Sequence, residues 1–186
     1  WDGSTPVVDA GSDKTVGLST LQDATVTDAT ALSYSWTQEA GPGTISFTTD
    51  NSEDTNISAD TDGVYTIRLT ATDAAGNSAF DEITFTWDAT APVVNAGTDK
   101  TVKVSTLQDA TVTDSTALSY SWTQESGLGI ISFTASTSED TEISADSEDV
   151  YTVRLTVTDA AGNSAIDEIT FTWDESAPVV DAGADK

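Results

Sequence analysis

Hydrophobic and polar residues alternate along much of the chain, and the alternation is clearest in residues 64–72, Val-Tyr-Thr-Ile-Arg-Leu-Thr-Ala-Thr. Every second residue from Tyr65 is apolar, and the residues between are polar. A period of two predicts a β-strand with one buried face. The turn at residues 73–77 then reverses the chain, and residues 82–87 return with the same period. These two segments are the strongest strand predictions in the sequence.

Shorter segments of the same unit predict further strands, at residues 7–11, 13–16, 22–27, 32–37, 45–47 and 55–59. Glycine, proline and acidic turn residues separate them, as at 41–43 and 60–63. No window of helical length carries apolar residues at positions i, i+3 and i+4. About seven short strands with frequent turns are typical of an antiparallel β-sandwich. The expected fold class is therefore all-β.

The aromatic residues of the first unit are expected to lie in the sandwich core, because the alternation already places them on the apolar faces of the strands. An exposed aromatic strip that stacks on sugars is the alternative, and the pattern does not favour it. The residues concerned are Tyr34, Trp36, Phe47, Tyr65, Phe85 and Trp87.

One stretch, Trp87-Asp88-Ala89-Thr90-Ala91-Pro92, recurs in variant form at the start of the sequence and again from Trp173. The offset is 86 residues both times, because 87 − 1 = 86 and 173 − 87 = 86. Aligning residues 1–86 with 87–172 gives 21 differences, so 65 of 86 positions match. We therefore predict tandem domains placed end to end, in a piece of a longer array. The predicted boundaries are 1–4 for a linker, 5–88 for repeat 1, 89–174 for repeat 2 and 175–186 for the start of repeat 3.

The chain is strongly acidic, with 32 acidic and 6 basic residues, no histidine and a net charge of −26. Such a charge disfavours binding to nucleic acid or anionic lipid and makes cations the natural ligands. The absence of cysteine excludes disulfides and thiolate metal sites. No apolar run approaches the roughly 20 residues of a membrane helix. We expect a monomer whose partners are neighbouring repeats of the same chain, without nucleic-acid binding or membrane insertion.

Catalysis has little support in the sequence, which lacks histidine, cysteine and a glycine-rich phosphate loop. Asp81 and Glu82 are adjacent, as are Asp167 and Glu168. Neighbouring residues on a strand face opposite sides, so neither pair fits a glycosidase. We interpret them as exposed-edge acids that discourage aggregation between sheets. The chain is not expected to be an enzyme.

Residues 150–163, Val-Tyr-Thr-Val-Arg-Leu-Thr-Val-Thr-Asp-Ala-Ala-Gly-Asn, resemble the penultimate strand and turn of a polycystic-kidney-disease-type (PKD) domain. Residues 120–124, Tyr-Ser-Trp-Thr-Gln, resemble the aromatic strand of that family, and residues 92–97 with Asp99 resemble its opening. The resemblance covers nearly the whole repeat and implies immunoglobulin-like (PKD-like) sandwiches. One departure is residues 114–118, which replace the Asp-Pro-Asp-Gly turn common before the tryptophan strand.

The repeats also resemble the tandem immunoglobulin-like domains of giant bacterial surface adhesins. In those proteins an Asp-x-Ala-Gly-Asn turn and a linker aspartate bind calcium between neighbouring domains. The turns from Asp73 to Asn77 and from Asp159 to Asn163 match that motif. Asp88 and Asp174 match the linker acid, as does Asp2 one repeat earlier. The resemblance therefore implies Ca²⁺ as the bound ion.

Immunoglobulin topology predicts which acids accompany these turns. Asp114, after the second strand, should lie at the same end of its domain as the turn at 159–163. Asp60 and Asp62, with Asp146 in repeat 2, should lie at the opposite end, towards the linker that follows. Ca²⁺ takes six to eight hard oxygen ligands, whereas Mg²⁺ rarely accepts an all-protein cage and Zn²⁺ lacks histidine and thiolate here. The alternative is that these acids are ordinary solvated turn residues.

Two functions remain open from the sequence. The first is a structural extender of a long bacterial cell-surface adhesin, stiffened by Ca²⁺ at its linkers and projecting a distal ligand-binding domain. The second is a glycan- or protein-binding PKD-like accessory module of a secreted protein. Near-identical tandem copies favour the extender, because a spacer tolerates duplication freely. In both cases the location would be extracellular.

Overall fold

The computed structural model describes residues 3–181 and 183, and all of its regular elements are β-strands. No helix occurs among these residues, so none of them forms an apolar helix long enough to cross a membrane. The chain forms two compact units, residues 1–90 with 160–163 and residues 91–159 with 164–186. The predicted all-β class, with tandem immunoglobulin-like sandwiches, is confirmed.

The first unit contains nine described strands. They are β1 (Val7–Asp9), β2 (Lys14–Val16), β3 (Thr20–Gln22), β4 (Thr25–Thr27), β5 (Leu32–Ala40), β6 (Ile45–Phe47), β7 (Thr55–Ala59), β8 (Gly63–Asp73) and β9 (Ser78–Trp87). One sheet has the strand order β2-β9-β8-β5 and the other the order β3-β7-β6, while β1 pairs with β4. All pairs are antiparallel except β2 with β9, which run parallel.

The strands of the second unit repeat this order. They are β10 (Val93–Asn95), β11 (Lys100–Val102), β12 (Thr106–Gln108), β13 (Thr111–Thr113), β14 (Leu118–Ser126), β15 (Ile131–Phe133), β16 (Thr141–Ala145), β17 (Asp149–Asp159) and β18 (Ser164–Trp173). The sheets are β11-β18-β17-β14 and β12-β16-β15, with β10 paired to β13. Each strand corresponds to the one 86 residues earlier, so the sequence repeat is also a repeat of topology.

Strand β8 supplies the centre of the core in the first unit, where Tyr65, Ile67, Leu69 and Ala71 are all fully buried. Their spacing of two residues puts all four side chains on one face, as the alternation predicts. The second unit has Val153 and Val157 in place of Ile67 and Ala71, also fully buried. The prediction of an aromatic core is confirmed, because Trp36, Tyr65 and Phe85 are buried, and Tyr34, Phe47 and Trp87 pack against them.

The sequence interpretation was wrong where it predicted one strand over residues 22–27. The segment is divided between β3 and β4, which belong to different sheets. Burial alternates regularly through the segment, with Gln22, Ala24 and Val26 buried and the residues between them exposed, so the chain changes sheet without any break in the alternation. Each unit thus has nine described strands instead of about seven.

The side chain of Gln22 holds the kink between β1 and β2. Its Nε2 donates to the main-chain oxygens of Ala10 at 2.7 Å and Ser12 at 3.2 Å. Asp81 of β9 accepts a hydrogen bond from the Ala10 amide at 2.9 Å, and Asp13 accepts one from the Thr84 amide at 2.8 Å. The interpretation of Asp81 as an exposed-edge acid was therefore wrong, because its carboxylate ties β9 to the kink.

The pairing register shows where the chain enters and leaves each sandwich. In the first unit Val7 lies opposite Thr27 and Leu32 opposite Asp73, so the first strand begins at the end where β8 finishes. Trp87 lies opposite Gly63, at the other end of β8. We call the Asp73 end the N-terminal pole and the Gly63 end the C-terminal pole. The second unit has the same register, with Leu118 opposite Asp159.

Candidate metal-binding turns and linkers

The turn at residues 73–77 is folded around the carboxylate of Asp73, which is buried. One oxygen accepts the amides of Ala75 and Asn77, both at 2.8 Å. The other accepts the Asn77 side-chain amide at 2.7 Å. This last bond is the main reason that the pKa of Asp73 lies below its ordinary value, and the main-chain amides of the turn lower it further. The bonds favour the ionised carboxylate at the N-terminal pole.

In the second unit two carboxylates come together at the N-terminal pole. Oxygen atoms of Asp114 and Asp159 lie within 4.8 Å of each other, with Asp159 buried and Asp114 half-buried. Asp159 is the last residue of β17, whereas Asp114 directly follows β13. Asp114 also accepts hydrogen bonds from the amide and hydroxyl of Thr116, at 2.8 and 2.9 Å. The topology thus gives one end of the sandwich two hard oxygen donors from different strands.

Asp88 follows β9 directly and is buried, with 1% of its surface exposed. Its amide donates to the oxygen of Val16 at 3.0 Å, which continues the pairing of β2 with β9 by one residue. Asp174 has the equivalent bond to Val102, at 2.9 Å, but its side chain is exposed.

Asp62 holds the residues that follow Asp88. Its carboxylate accepts the amide of Ala89 at 2.8 Å and the hydroxyl of Thr90. Asp60 makes different contacts, because it accepts the Thr44 amide at 2.7 Å within the C-terminal pole. That bond is the main cause of the lowered pKa of Asp60.

Glu148 takes the place of Asp62 in the second unit, and the sequence analysis did not select it. It accepts the amide of Glu175 at 2.8 Å and the hydroxyl of Ser176 at 2.9 Å. Asp146 corresponds to Asp60 and accepts the Ile130 amide at 2.8 Å. The signal for Glu148 was its position 86 residues after Asp62, where a longer acid keeps the same carboxylate function.

The predicted metal-binding residues are therefore divided between the poles of the units. Those belonging to the N-terminal poles are Asp73, Asn77, Asp114, Asp159 and Asn163, and those belonging to the C-terminal poles and linkers are Asp60, Asp62, Asp88, Asp146 and Asp174. Asp2 lies outside the described residues. The oxygen donors present suit a hard cation such as Ca²⁺, and metal binding by any of them stays a prediction.

Comparisons with known proteins agree with the observed architecture. A family model described as K319L-like, PKD domain matches residues 10–86 and again residues 96–172. The I67–I69 fragment of the titin I-band superposes with a TM-score of 0.52 at 16% identity, covering 90% of this chain and 65% of that one. The PKD domain of the KIAA 1837 protein gives a TM-score of 0.40 at 22% identity, covering 47% of this chain and 92% of that one. No curated protein matches the chain in a sequence comparison.

Proposed function

The chain belongs to the K319L-like PKD domain family, and from that premise we propose that it forms extender repeats of a long bacterial surface adhesin, stiffened by Ca²⁺ at its linkers. Domains of the PKD and immunoglobulin-like kind are typically extracellular and non-catalytic. The proposal gives the chain a structural role, in which length scales with the number of repeats and a distal domain binds the ligand.

The observation that carries the calcium part of the proposal is the proximity of Asp114 and Asp159. Two carboxylates within 4.8 Å repel each other by on the order of 3 kcal/mol at the effective dielectric constant of a protein surface. A divalent cation bound by both removes this repulsion and adds attraction. Ca²⁺ suits such a place because it accepts carboxylate, amide and main-chain oxygens in a flexible geometry.

The linker is proposed to supply further ligands. Asp88 is buried although it lies outside any strand, and Asp62 fixes the residues immediately after it. A linker whose first residues are bound to the preceding sandwich has less conformational entropy to lose when its acid coordinates an ion. An ion that takes ligands from the linker and from the following N-terminal pole favours one arrangement of the two over all others. That preference is what would make the array stiff.

The test is thermal unfolding of residues 1–186 in EDTA, in millimolar Ca²⁺ and in equal Mg²⁺, with small-angle X-ray scattering on the same samples. Saturating Ca²⁺ should raise the Tm by on the order of 10 °C and lengthen the maximum dimension, with much less effect of Mg²⁺. An unchanged Tm and an unchanged maximum dimension would refute calcium stiffening.

Matched variants locate the ion. Asp114→Asn with Asp159→Asn, and separately Asp88→Asn, should remove most of the calcium-dependent rise in Tm. Asp23→Asn with Asp109→Asn is the control, because both side chains are exposed and neither residue belongs to the predicted metal-binding set. Reproducible binding to a glycan array would instead favour the accessory-module function.

A further inference from the structure

The outer edge of β4 is covered by side chains instead of a neighbouring strand. On its inner edge β4 pairs with β1, with Val26 opposite Val8. On the outer edge the amide of Val26 donates to the Glu53 carboxylate at 2.8 Å, and the amide of Ala24 donates to Asp54 at 3.0 Å. The two carboxylates thus take the places that the carbonyl oxygens of another strand would occupy.

The second unit has the same arrangement on β13. The amide of Val112 donates to Glu139 at 3.0 Å, and that of Ala110 donates to Asp140 at 2.9 Å. The residues before the acidic pair differ between the units, being Thr-Asp-Asn at 49–51 and Ala-Ser-Thr at 135–137. The two acids, with the serine directly before them, are therefore retained after three positions that vary. We call Glu53, Asp54, Glu139 and Asp140 the acid latch.

The surroundings of the latch contain acidic groups and tyrosines. The hydroxyl of Tyr34 on β5 lies 3.5 Å from Glu53, and Asp23 and Asp28 flank β4. Burial, followed by the charge of Glu53, raises the pKa of Tyr34. Tyr120, Asp109 and Asp114 hold the equivalent positions in the second unit. Among residues 3–181 and 183, every ion pair found involves Arg68 or Arg154, and none includes a latch carboxylate.

We propose that the acid latch is a pH-sensitive device, and that protonation of its carboxylates opens the outer edges of β4 and β13 to antiparallel pairing with the same edge of a second copy of this chain. A neutral carboxylic acid is a weaker acceptor for the main-chain amides than a carboxylate. Edge strands with uncovered amides and carbonyls are templates for pairing with another chain. Acidification therefore weakens the hydrogen bonds from the latch side chains to the edge, and the edge becomes available for pairing.

The partner that pairs with the opened edge is a second copy of this chain, because acidification also removes the repulsion between copies. At neutral pH two chains of net charge −26 repel each other, and this charge disappears near the isoelectric point of about 4.1. The exposed edge is self-complementary, since Thr-Val-Thr at 25–27 recurs at 111–113. A two-fold axis can pair like with like, which is the commonest symmetry of dimers. The bond from the Trp36 amide to the oxygen of Asp50, at 2.7 Å, restrains the loop and sets a threshold for opening.

The first experiment measures association at pH 7 in EDTA, so that calcium plays no part, and in about 1 M NaCl, which shortens the Debye length to about 3 Å and so screens the repulsion between copies. The latch variant carries Glu53→Ala, Asp54→Ala, Glu139→Ala and Asp140→Ala. The control carries Asp23→Ala, Asp50→Ala, Asp109→Ala and Glu142→Ala, which remove the same charge from side chains that accept no main-chain hydrogen bond among the described residues. Sedimentation should show dimers of the latch variant and monomers of the control. A folded latch variant that stays monomeric over a hundredfold range of concentration would overturn the proposal.

The second experiment uses the unaltered chain and decides the matter if the latch variant fails to fold. The protection factor of the Val26 and Val112 amides, measured in dilute monomer as the intrinsic exchange rate divided by the observed rate, should fall by roughly tenfold as the pH falls towards 4, as expected for losing a hydrogen bond to a charged acceptor. The amide of Ile67, in the core sheet, is the internal control. Acid association with both edge amides still protected would mean that another surface is used, and the proposal would then be wrong.

Discussion

Gly41 lies so close to the buried ring of Tyr65 that a Cβ at Gly41 would meet Cδ1 of the ring at 2.0 Å. The Tyr65 hydroxyl donates to the oxygen of Thr61 at 2.6 Å, so the ring is fixed at both ends and cannot move aside. Gly127 has the same relationship to Tyr151 in the second unit, at 2.1 Å. The tyrosine thus determines which residue can follow β5 and β14.

Gly41→Ala should therefore destabilise the first unit by about 2–4 kcal/mol, from overpacking against Tyr65 together with a φ of 146° that favours glycine. Urea unfolding measures the loss. Gly76→Ala is the matched control, because Gly76 has a φ of 91° but nothing within 4 Å of its added Cβ. It should cost about 1 kcal/mol, from backbone strain alone. Equal losses in the two variants would show that contact with Tyr65 is unimportant.

Asp81 and Glu82 are adjacent acids with different expected contributions to stability. Asp81 accepts the Ala10 amide across the kink, whereas Glu82 forms an exposed ion pair with Arg68. Asp81→Ala should cost about 2 kcal/mol, typical of a hydrogen bond to a charged group. Glu82→Ala should cost less than about 1 kcal/mol, as for other surface ion pairs. The comparison is made by urea unfolding at constant pH, and the reverse order of the two losses would contradict this role of Asp81 at the kink.

Gln22 is fully buried, and its Oε1 has no hydrogen-bond partner among the described residues. Gln22→Glu would place a charge there and remove the donor to Ala10, so we expect a loss of about 3 kcal/mol or more at pH 7. Burial raises the pKa of such a carboxyl, so the loss should shrink as the pH falls below that raised value. Gln22→Met, measured in parallel by chemical unfolding, should cost less and should show no such pH dependence. Equal stability of the Gln22→Glu and Gln22→Met variants at pH 7 would contradict the prediction.

The lowered pKa of Asp73 gives a pH dependence with a definite sign. A carboxyl whose pKa is depressed on folding stabilises the fold above its ordinary pKa of about 3.9 and loses that contribution as the pH falls below it. Asn77→Ala removes the largest cause of the depression. The Asp73 pKa, followed by carboxyl-carbon NMR, should rise towards the ordinary value, and acid unfolding should begin at higher pH. An unchanged titration curve would mean that the turn amides alone set the pKa.

The period-two pattern was sufficient to predict the long strands, because every second side chain of such a strand, as at Leu69, packs on the buried face of its sheet. It failed at Gln22, whose polar side chain is buried and bonds the main-chain oxygen of Ala10, 12 residues away in the sequence. The same holds for Asp81, which bonds Ala10 from 71 residues away. Local alternation reports which face a residue occupies, whereas bonds across sheets depend on the finished topology.

The candidate site, like the fold, could be predicted only in part from the sequence. The turn from Asp73 to Asn77 is closed by its own bonds, so its sequence motif is enough to identify it. The proximity of Asp114 to Asp159 followed from the topology of the family. The contact of Glu148 with the residues after β18 was missed, because its position 86 residues after Asp62 was the signal and the change from aspartate to glutamate hid it.

The parallel pairing of β2 with β9 has a mechanical consequence. A pull on the two termini of a unit draws β2 towards the N-terminal pole and β9 towards the C-terminal pole, along the axes of the strands. The bonds that join residues 14–16 to 85–87, with those from Asp13 and Asp81, are then loaded in shear and must break together instead of one after another. A sandwich connected in this way resists tension along its length, in the direction in which flowing liquid would stretch a tethered chain.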